Sequence, residues 1–163
     1  MRRRFGKILS KIAEKDKKIV LLVGDIGFGI FDDFRKKHPK RFFNLGICEQ
    51  SIISFASGLA LEGLKPWVYT ITPFLIERPF EQIKLDIDQQ NVNVKLIGFA
   101  DYPSLGPSHS ELNAKKLMSL FKNIKSYYPK DSEDTEKITH KIHKFKGPNF
   151  ISLKSDNKIG KNW

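Results

Sequence analysis

Asn44-Leu45-Gly46-Ile47-Cys48-Glu49-Gln50 begins as a short apolar segment, and the run from Ser51 to Gly63 that follows places Ile52, Phe55, Ala56, Leu59 and Ala60 at helical spacing. A buried strand turning directly into a helix accounts for both halves and puts Glu49 at the turn. In an open α/β sheet that turn lies at the carboxyl end of the strand, where ligands bind, so a lone carboxylate there is a candidate for chemistry. Glu49 also reads as a first-turn acid favoured by the helix dipole, and position alone leaves both readings open. Cys48, the only cysteine of the chain, reads as a small buried apolar residue and excludes both an internal disulfide and a cysteine-based zinc site.

The same alternation extends in both directions. Upstream, Phe5, Ile8, Leu9 and Ile12 mark an amphipathic helix over Phe5 to Ala13, and Ile19 to Val23 is a continuous apolar run suited to a strand buried on both faces. Gly24-Asp25-Ile26-Gly27-Phe28-Gly29 is a loop before a short helix over Phe31 to Lys37; its glycine spacing matches neither a dinucleotide fingerprint nor a phosphate loop, while Asp25 at the strand end can face a ligand. The pattern predicts a second strand over Phe42 to Ile47 and a helix over Gln50 to Leu61, with Gly63 beyond its end. Downstream it predicts strands over Trp67 to Thr72, Val92 to Ala100, Ile124 to Tyr128 and Phe150 to Leu153. Between them come helices over Leu75 to Gln90, Leu112 to Phe121 and Ser132 to Phe145, with Pro73-Phe74 breaking the third strand and Pro79 drawing the start of its helix towards Arg78. Ile76, Phe80, Ile83, Leu85 and Ile87 form the apolar side of that helix.

Apolar strands alternating with helices, with no hairpin signal, predict a three-layer, doubly wound α/β fold with a mostly parallel six-stranded sheet. The 163 residues suit one domain over 1–155, with a loosely held tail over 156–163. No run of about 18 apolar residues occurs and no signal-like segment follows the basic start, so a cytoplasmic location without membrane association is expected. The formal charge of +11 raises the question of nucleic acid, but the lysines are dispersed in short groups with no aromatic interleaving. A solvated basic surface, or one that meets an acidic partner subunit, is expected instead.

Several ordered motifs resemble one family. Phe42-Phe43-Asn44-Leu45-Gly46-Ile47-Cys48-Glu49-Gln50, Ala56-Ser57-Gly58-Leu59-Ala60 with Gly63 and Pro66, Phe74-Leu75 with Arg78 and Glu81-Gln82-Ile83, and Gly106-Pro107-Ser108-His109 together resemble the pyrimidine-binding domain of the transketolase family, over roughly residues 20 to 153. The chain is most similar to the separate carboxyl-terminal component of split, transketolase-like enzymes. The resemblance implies the thiamine-diphosphate-binding fold and two-carbon ketol transfer between sugars. A component of a thiamine-diphosphate 2-oxo acid decarboxylase, or a non-catalytic partner-binding remnant of the same fold, are the alternatives.

The resemblance also implies roles. Glu49 matches the glutamate that contacts N1′ of the cofactor's aminopyrimidine, where a carboxylic acid prepares the cofactor to lose its thiazolium proton. Phe74 matches the aromatic that stacks on the pyrimidine, and Ile47, Ile71 and Thr72 are expected to line the same slot, with Asp25 near it. His109 matches a substrate-facing histidine able to hydrogen-bond a ketose hydroxyl or move a proton, and Arg78 either binds an anion or holds the helix start. Two departures stand out: Leu105 occupies the place of an acidic residue before the histidine motif, in a loop from Asp101 that is shorter than the family's, and the G-D-G…N motif for diphosphate and magnesium is missing. No metal ligands are therefore assigned to this chain. The resemblance implies a diphosphate-binding partner subunit that holds magnesium, in a homodimer or heterotetramer, with the Glu49, Phe74 and His109 surface partly exposed in the isolated chain.

Overall fold

The computed structural model describes residues 1–99 and 105–154. The expectations for Ala100, the loop from Asp101 to Ser104 and the tail from Ser155 lie outside these residues.

Helix α1 (Arg2–Lys15) leads into β1 (Ile19–Val23), α2 (Asp32–Lys37) and β2 (Phe42–Asn44). Helix α3 (Glu49–Leu61), β3 (Lys65–Ile71) and the short helices α4 (Thr72–Ile76) and α5 (Phe80–Gln82) follow, and α5 continues as a π-helical stretch over Ile83–Gln89. The chain closes with β4 (Lys95–Phe99), α6 (Ala114–Met118), β5 (Lys125–Tyr127), α7 (Ser132–Lys144) and β6 (Asn149–Leu153). The six strands form one sheet in the order β2-β1-β3-β4-β6-β5, with every pairing parallel.

Successive strand side chains point to opposite faces, and the two faces carry separate cores. Leu21, Val23, Trp67, Ile97 and Ile151 pack beneath α1, α2 and α7 around Phe5, Leu9, Phe34 and Ile142. On the other face Val20, Leu22, Val68, Leu96 and Phe150 pack beneath α3, the π-helical stretch and α6, around Ile52, Ala56, Ile83, Ile87 and Met118. Each fully enclosed aliphatic or aromatic side chain contributes about 1.5–3 kcal/mol by leaving water, which is why the apolar runs over 19–23 and 67–71 have no alternation. The predicted three-layer, doubly wound α/β architecture is what the chain forms.

Three local readings are corrected. The strand predicted over Phe42 to Ile47 ends at Asn44 and is the sheet's edge, with Phe43 40% exposed and Ile47 66% exposed. Gly46 ends it with φ +77°, a left-handed conformation that suits glycine. Cys48 is exposed rather than buried, and its Sγ–H donates to the Leu45 carbonyl at 3.0 Å. The helix predicted over Leu75 to Gln90 is three pieces: Pro73 sits in the first turn of α4, where its missing N–H costs nothing, residues 77–79 interrupt the helix, and the stretch after Gln82 widens into π geometry. Ile83 and Ile87 stay buried in that wider winding while Leu85 is turned 41% to solvent.

Candidate functional site

The chain runs from β1 outward to β2 and then returns to β3 on β1's other flank. Helices α2 and α3 consequently leave on opposite faces, and a crevice opens beyond the carboxyl ends of β1 and β3, the place where open α/β sheets bind ligands. A cavity of about 210 Å³ lies there, lined by Gly24, Asp25 and Ile26 after β1, Thr70 and Ile71 at the end of β3, and Ile47, Phe74, Leu105 and His109. Five of the expected site residues, Asp25, Ile47, Ile71, Phe74 and His109, are thus brought to one cavity from four separate parts of the chain.

Thr72 is not among the lining residues. Its side chain is fully buried and turned towards β4, where a Cβ on Gly98 would stand only 2.5 Å from its Oγ1. Thr72 therefore packs α4 onto the sheet.

Glu49 opens α3, and its neighbour Cys48 provides no side-chain cap, so the carboxylate is the acidic group of the first turn. It is only 5% exposed. Oε2 accepts from Arg78 Nη1 at 3.1 Å, while Oε1 is buried with no hydrogen-bond partner among the described residues. Such an oxygen is costly unless a ligand or partner completes it.

Arg78 sits in the break between α4 and α5, and its Cζ lies 3.2 Å from the centroid of the Phe74 ring. One guanidinium therefore covers the ring and pairs with the carboxylate. Gln50 Nε2 donates to the Arg78 carbonyl at 3.3 Å, which fixes its backbone. Phe74 is 9% exposed, and its ring meets the His109 imidazole at 4.9 Å between centroids with an interplanar angle of 60°. His109 Nδ1 lies 3.1 Å from Ser108 Oγ in the turn Pro107–His109. Of the surface expected to be partly exposed, His109 is half-buried, whereas Glu49 and Phe74 are buried with Arg78 over both.

Two organising residues were not singled out from the sequence. Asn44 Oδ1 accepts from the backbone N–H of Asp25 at 3.0 Å and of Gly46 at 3.1 Å, and its Nδ2 donates to Asp25 Oδ1 at 3.0 Å. An asparagine two residues before a left-handed glycine is the readable signal, because its side chain bonds backbone two residues on. Glu77 Oε1 accepts from Leu112 N at 2.9 Å and anchors the segment after His109 to the α4–α5 break. Nothing in the local sequence marks that contact. Among the described residues, no group of three or more His, Cys, Asp or Glu side chains stands together as a metal site, and no helix is long and apolar enough to cross a membrane.

A parallel six-stranded sheet with an acidic helix start, an aromatic and a histidine at its switch point defines a ligand-binding α/β domain. The chain belongs to the transketolase pyrimidine-binding-domain family, whose model matches residues 1–158. It is 37% identical to an apulose-4-phosphate transketolase subunit of Actinobacillus succinogenes over 74% of its length and 40% of that protein's. It is 30% identical to the subunit of the same name in Phocaeicola vulgatus over 93% of its length and 50% of that protein's. Among solved structures, a split-gene transketolase described as an inactive beta4 tetramer superposes with a TM-score of 0.85 at 33% identity, covering 94% of this chain and 50% of that one. The transketolase of Campylobacter jejuni shares the fold, with a TM-score of 0.79 at 17% identity, over 94% of this chain and 25% of that one. The chain spans half or less of the length of each of these proteins.

Proposed function

We propose that this chain is the pyrimidine-binding component of a two-chain thiamine-diphosphate enzyme that transfers two-carbon ketol units between sugars. The observation that carries the reading is a buried carboxyl group with one unpartnered oxygen, Glu49, joined through Arg78 to a ring, Phe74, that borders a largely apolar cavity at the sheet's switch point. That set fits an aminopyrimidine: a flat ring needs a stacking face and a nitrogen needs an acid to share its proton.

When bound, thiamine diphosphate supplies the electron sink that allows a ketose carbon–carbon bond to break. Glu49 holds a proton at the ring nitrogen from the first turn of α3. Phe74 fixes the ring's plane, while Ile47 and Ile71 exclude water beside it. His109, half-buried at the rim of the same cavity, presents an imidazole to a sugar hydroxyl and can give or accept a proton there. Asp25, exposed and steadied by Asn44, lines the same cavity.

A second chain is assigned the diphosphate and its magnesium. The two relatives named as transketolase subunits and the split-gene structure support that division. The protein is read as cytoplasmic. Thiamine-diphosphate affinity of the assembled enzyme tests the reading: it should fall on Glu49→Gln and on Phe74→Ala, and affinity unchanged by both would contradict it.

A further inference from the structure

One oxygen of Glu49 and one face of the Phe74 ring, the two partners that the proposed function reserves for the aminopyrimidine, are already engaged by one side chain, while Glu49 Oε1 stays buried and unpartnered. Arg78 places a planar, nitrogen-bearing cation 3.2 Å from the Phe74 centroid and donates from Nη1 to Glu49 Oε2 at 3.1 Å. A ring that stacks on the Phe74 face beneath Arg78 and shares a proton with Glu49 enters the volume of that guanidinium, because the guanidinium spans the two partners and the second carboxylate oxygen, Oε1, is buried. The neighbouring cavity does not offer an alternative route to both contacts, since Phe74 lines it and Glu49 does not.

We propose that Arg78 is a resident stand-in for the aminopyrimidine, which closes the notch between Glu49 and Phe74 in the unloaded chain and is displaced when the cofactor's ring enters. This rests on the pyrimidine-binding reading above. The side chain is built to leave. It is 38% exposed while Glu49 is 5% exposed, so its outward path is open to solvent. Its backbone is held in place by Gln50 Nε2 on the Arg78 carbonyl, in the break between α4 and α5. The resting arrangement spares the chain a naked carboxylate and a bare aromatic face at the crevice, since a guanidinium satisfies both through charge and ring contact. Loading then exchanges one planar nitrogen cation for another planar nitrogen group on the same two partners.

An occupant that fills the notch nine-tenths of the time raises the apparent dissociation constant of a competing ligand about tenfold. The test uses this chain with two probes that lack the diphosphate, thiamine and 4-amino-5-hydroxymethyl-2-methylpyrimidine, followed by ligand-observed NMR titration. Arg78→Ala should bind both probes about tenfold more tightly than the wild type. Arg78→Lys, which keeps a cation within reach of Glu49 but cannot cover Phe74, should also bind them more tightly than the wild type. The gain should vanish when Glu49→Gln or Phe74→Ala is added. Binding by Arg78→Ala equal to or weaker than that of the wild type would overturn the stand-in, as would Arg78→Lys binding no better than the wild type. Equal, Glu49-dependent binding by wild type and Arg78→Ala would overturn the stand-in while leaving the pyrimidine reading intact. Binding by no variant would overturn the stand-in and leave the pyrimidine reading to the assembled enzyme.

Discussion

Arg78 Nη1 donates to Glu49 Oε2 at 3.1 Å across 29 residues of sequence, and the pair joins the first turn of α3 to the break between α4 and α5. Gln50 closes the same junction from the backbone side. The acid, the ring beneath the guanidinium and the histidine beside that ring thus form one continuous row, Glu49, Arg78, Phe74 and His109. The function proposed for the chain depends on that row.

Glu49→Gln keeps the size of the side chain and removes the acid. Positioned acid–base groups are worth about a hundred- to ten-thousandfold in rate, so exchange of the cofactor's C2 proton in the assembled enzyme should slow by that order. Exchange followed by quenched NMR that proceeds at the wild-type rate would remove Glu49 from the chemistry.

Phe74→Ala separates stacking from packing. Stacking of a base on an aromatic ring is worth about 1–3 kcal/mol, or roughly ten- to hundredfold in affinity. The Phe74 ring is 9% exposed and is covered in part by a partly exposed arginine rather than by core side chains alone, so its loss should cost folding less than it costs cofactor binding. Denaturant titration and cofactor titration of the same variant decide the matter, and equal losses would make Phe74 an ordinary core residue.

The frame of the molecule was legible because β1 is an unbroken apolar run buried on both faces and β3 is nearly one, with only Thr70 polar between Trp67 and Ile71. β2 was legible as a strand, but its end at Asn44 and its place at the edge were not, since apolar content alone does not distinguish an edge from a centre. Ile76, Phe80, Ile83 and Ile87 fit one helical stripe on paper although they lie on α4, α5 and a π-helical stretch, because i+3 and i+4 steps do not record a break at Pro79. The site residues Glu49, Phe74 and His109 came from motif resemblance. The pairing of Arg78 with Glu49 depends on two helix ends meeting in space, which no local pattern encodes.

Asn44→Ala should loosen the rim of the cavity. Three hydrogen bonds tie Asn44 to Asp25 and Gly46, and exposed bonds of this kind contribute about 0.5–1.5 kcal/mol each. Hydrogen exchange at the Asp25 and Gly46 amides should accelerate with β1 and β3 unaffected. Unchanged protection at those two amides would show that the loop holds itself.

Lys95 tests the opposite end of the sheet. Burial, and then the charge of Lys65, pushes its ammonium down to about 7, although Nζ donates to the carbonyls of Phe145 and Gly147 and to Asn149 Oδ1. A lysine whose folded pKa lies below its unfolded value binds fewer protons when folded, so stability rises with pH between about 7 and the ordinary lysine value. Relative to Lys95→Met, the wild type should gain on the order of 1 kcal/mol per pH unit above neutrality, measured by denaturant unfolding. A flat difference would show that the three acceptors keep the ammonium charged.

The division of the cofactor site between two chains is tested most directly by calorimetry with thiamine diphosphate and magnesium, first on this chain alone and then with the diphosphate-binding subunit added. With Arg78 over Phe74 and the diphosphate ligands assigned elsewhere, the chain alone should show little or no heat, and the pair should bind tightly. Micromolar binding by the isolated chain, together with turnover of a ketose, would contradict the account.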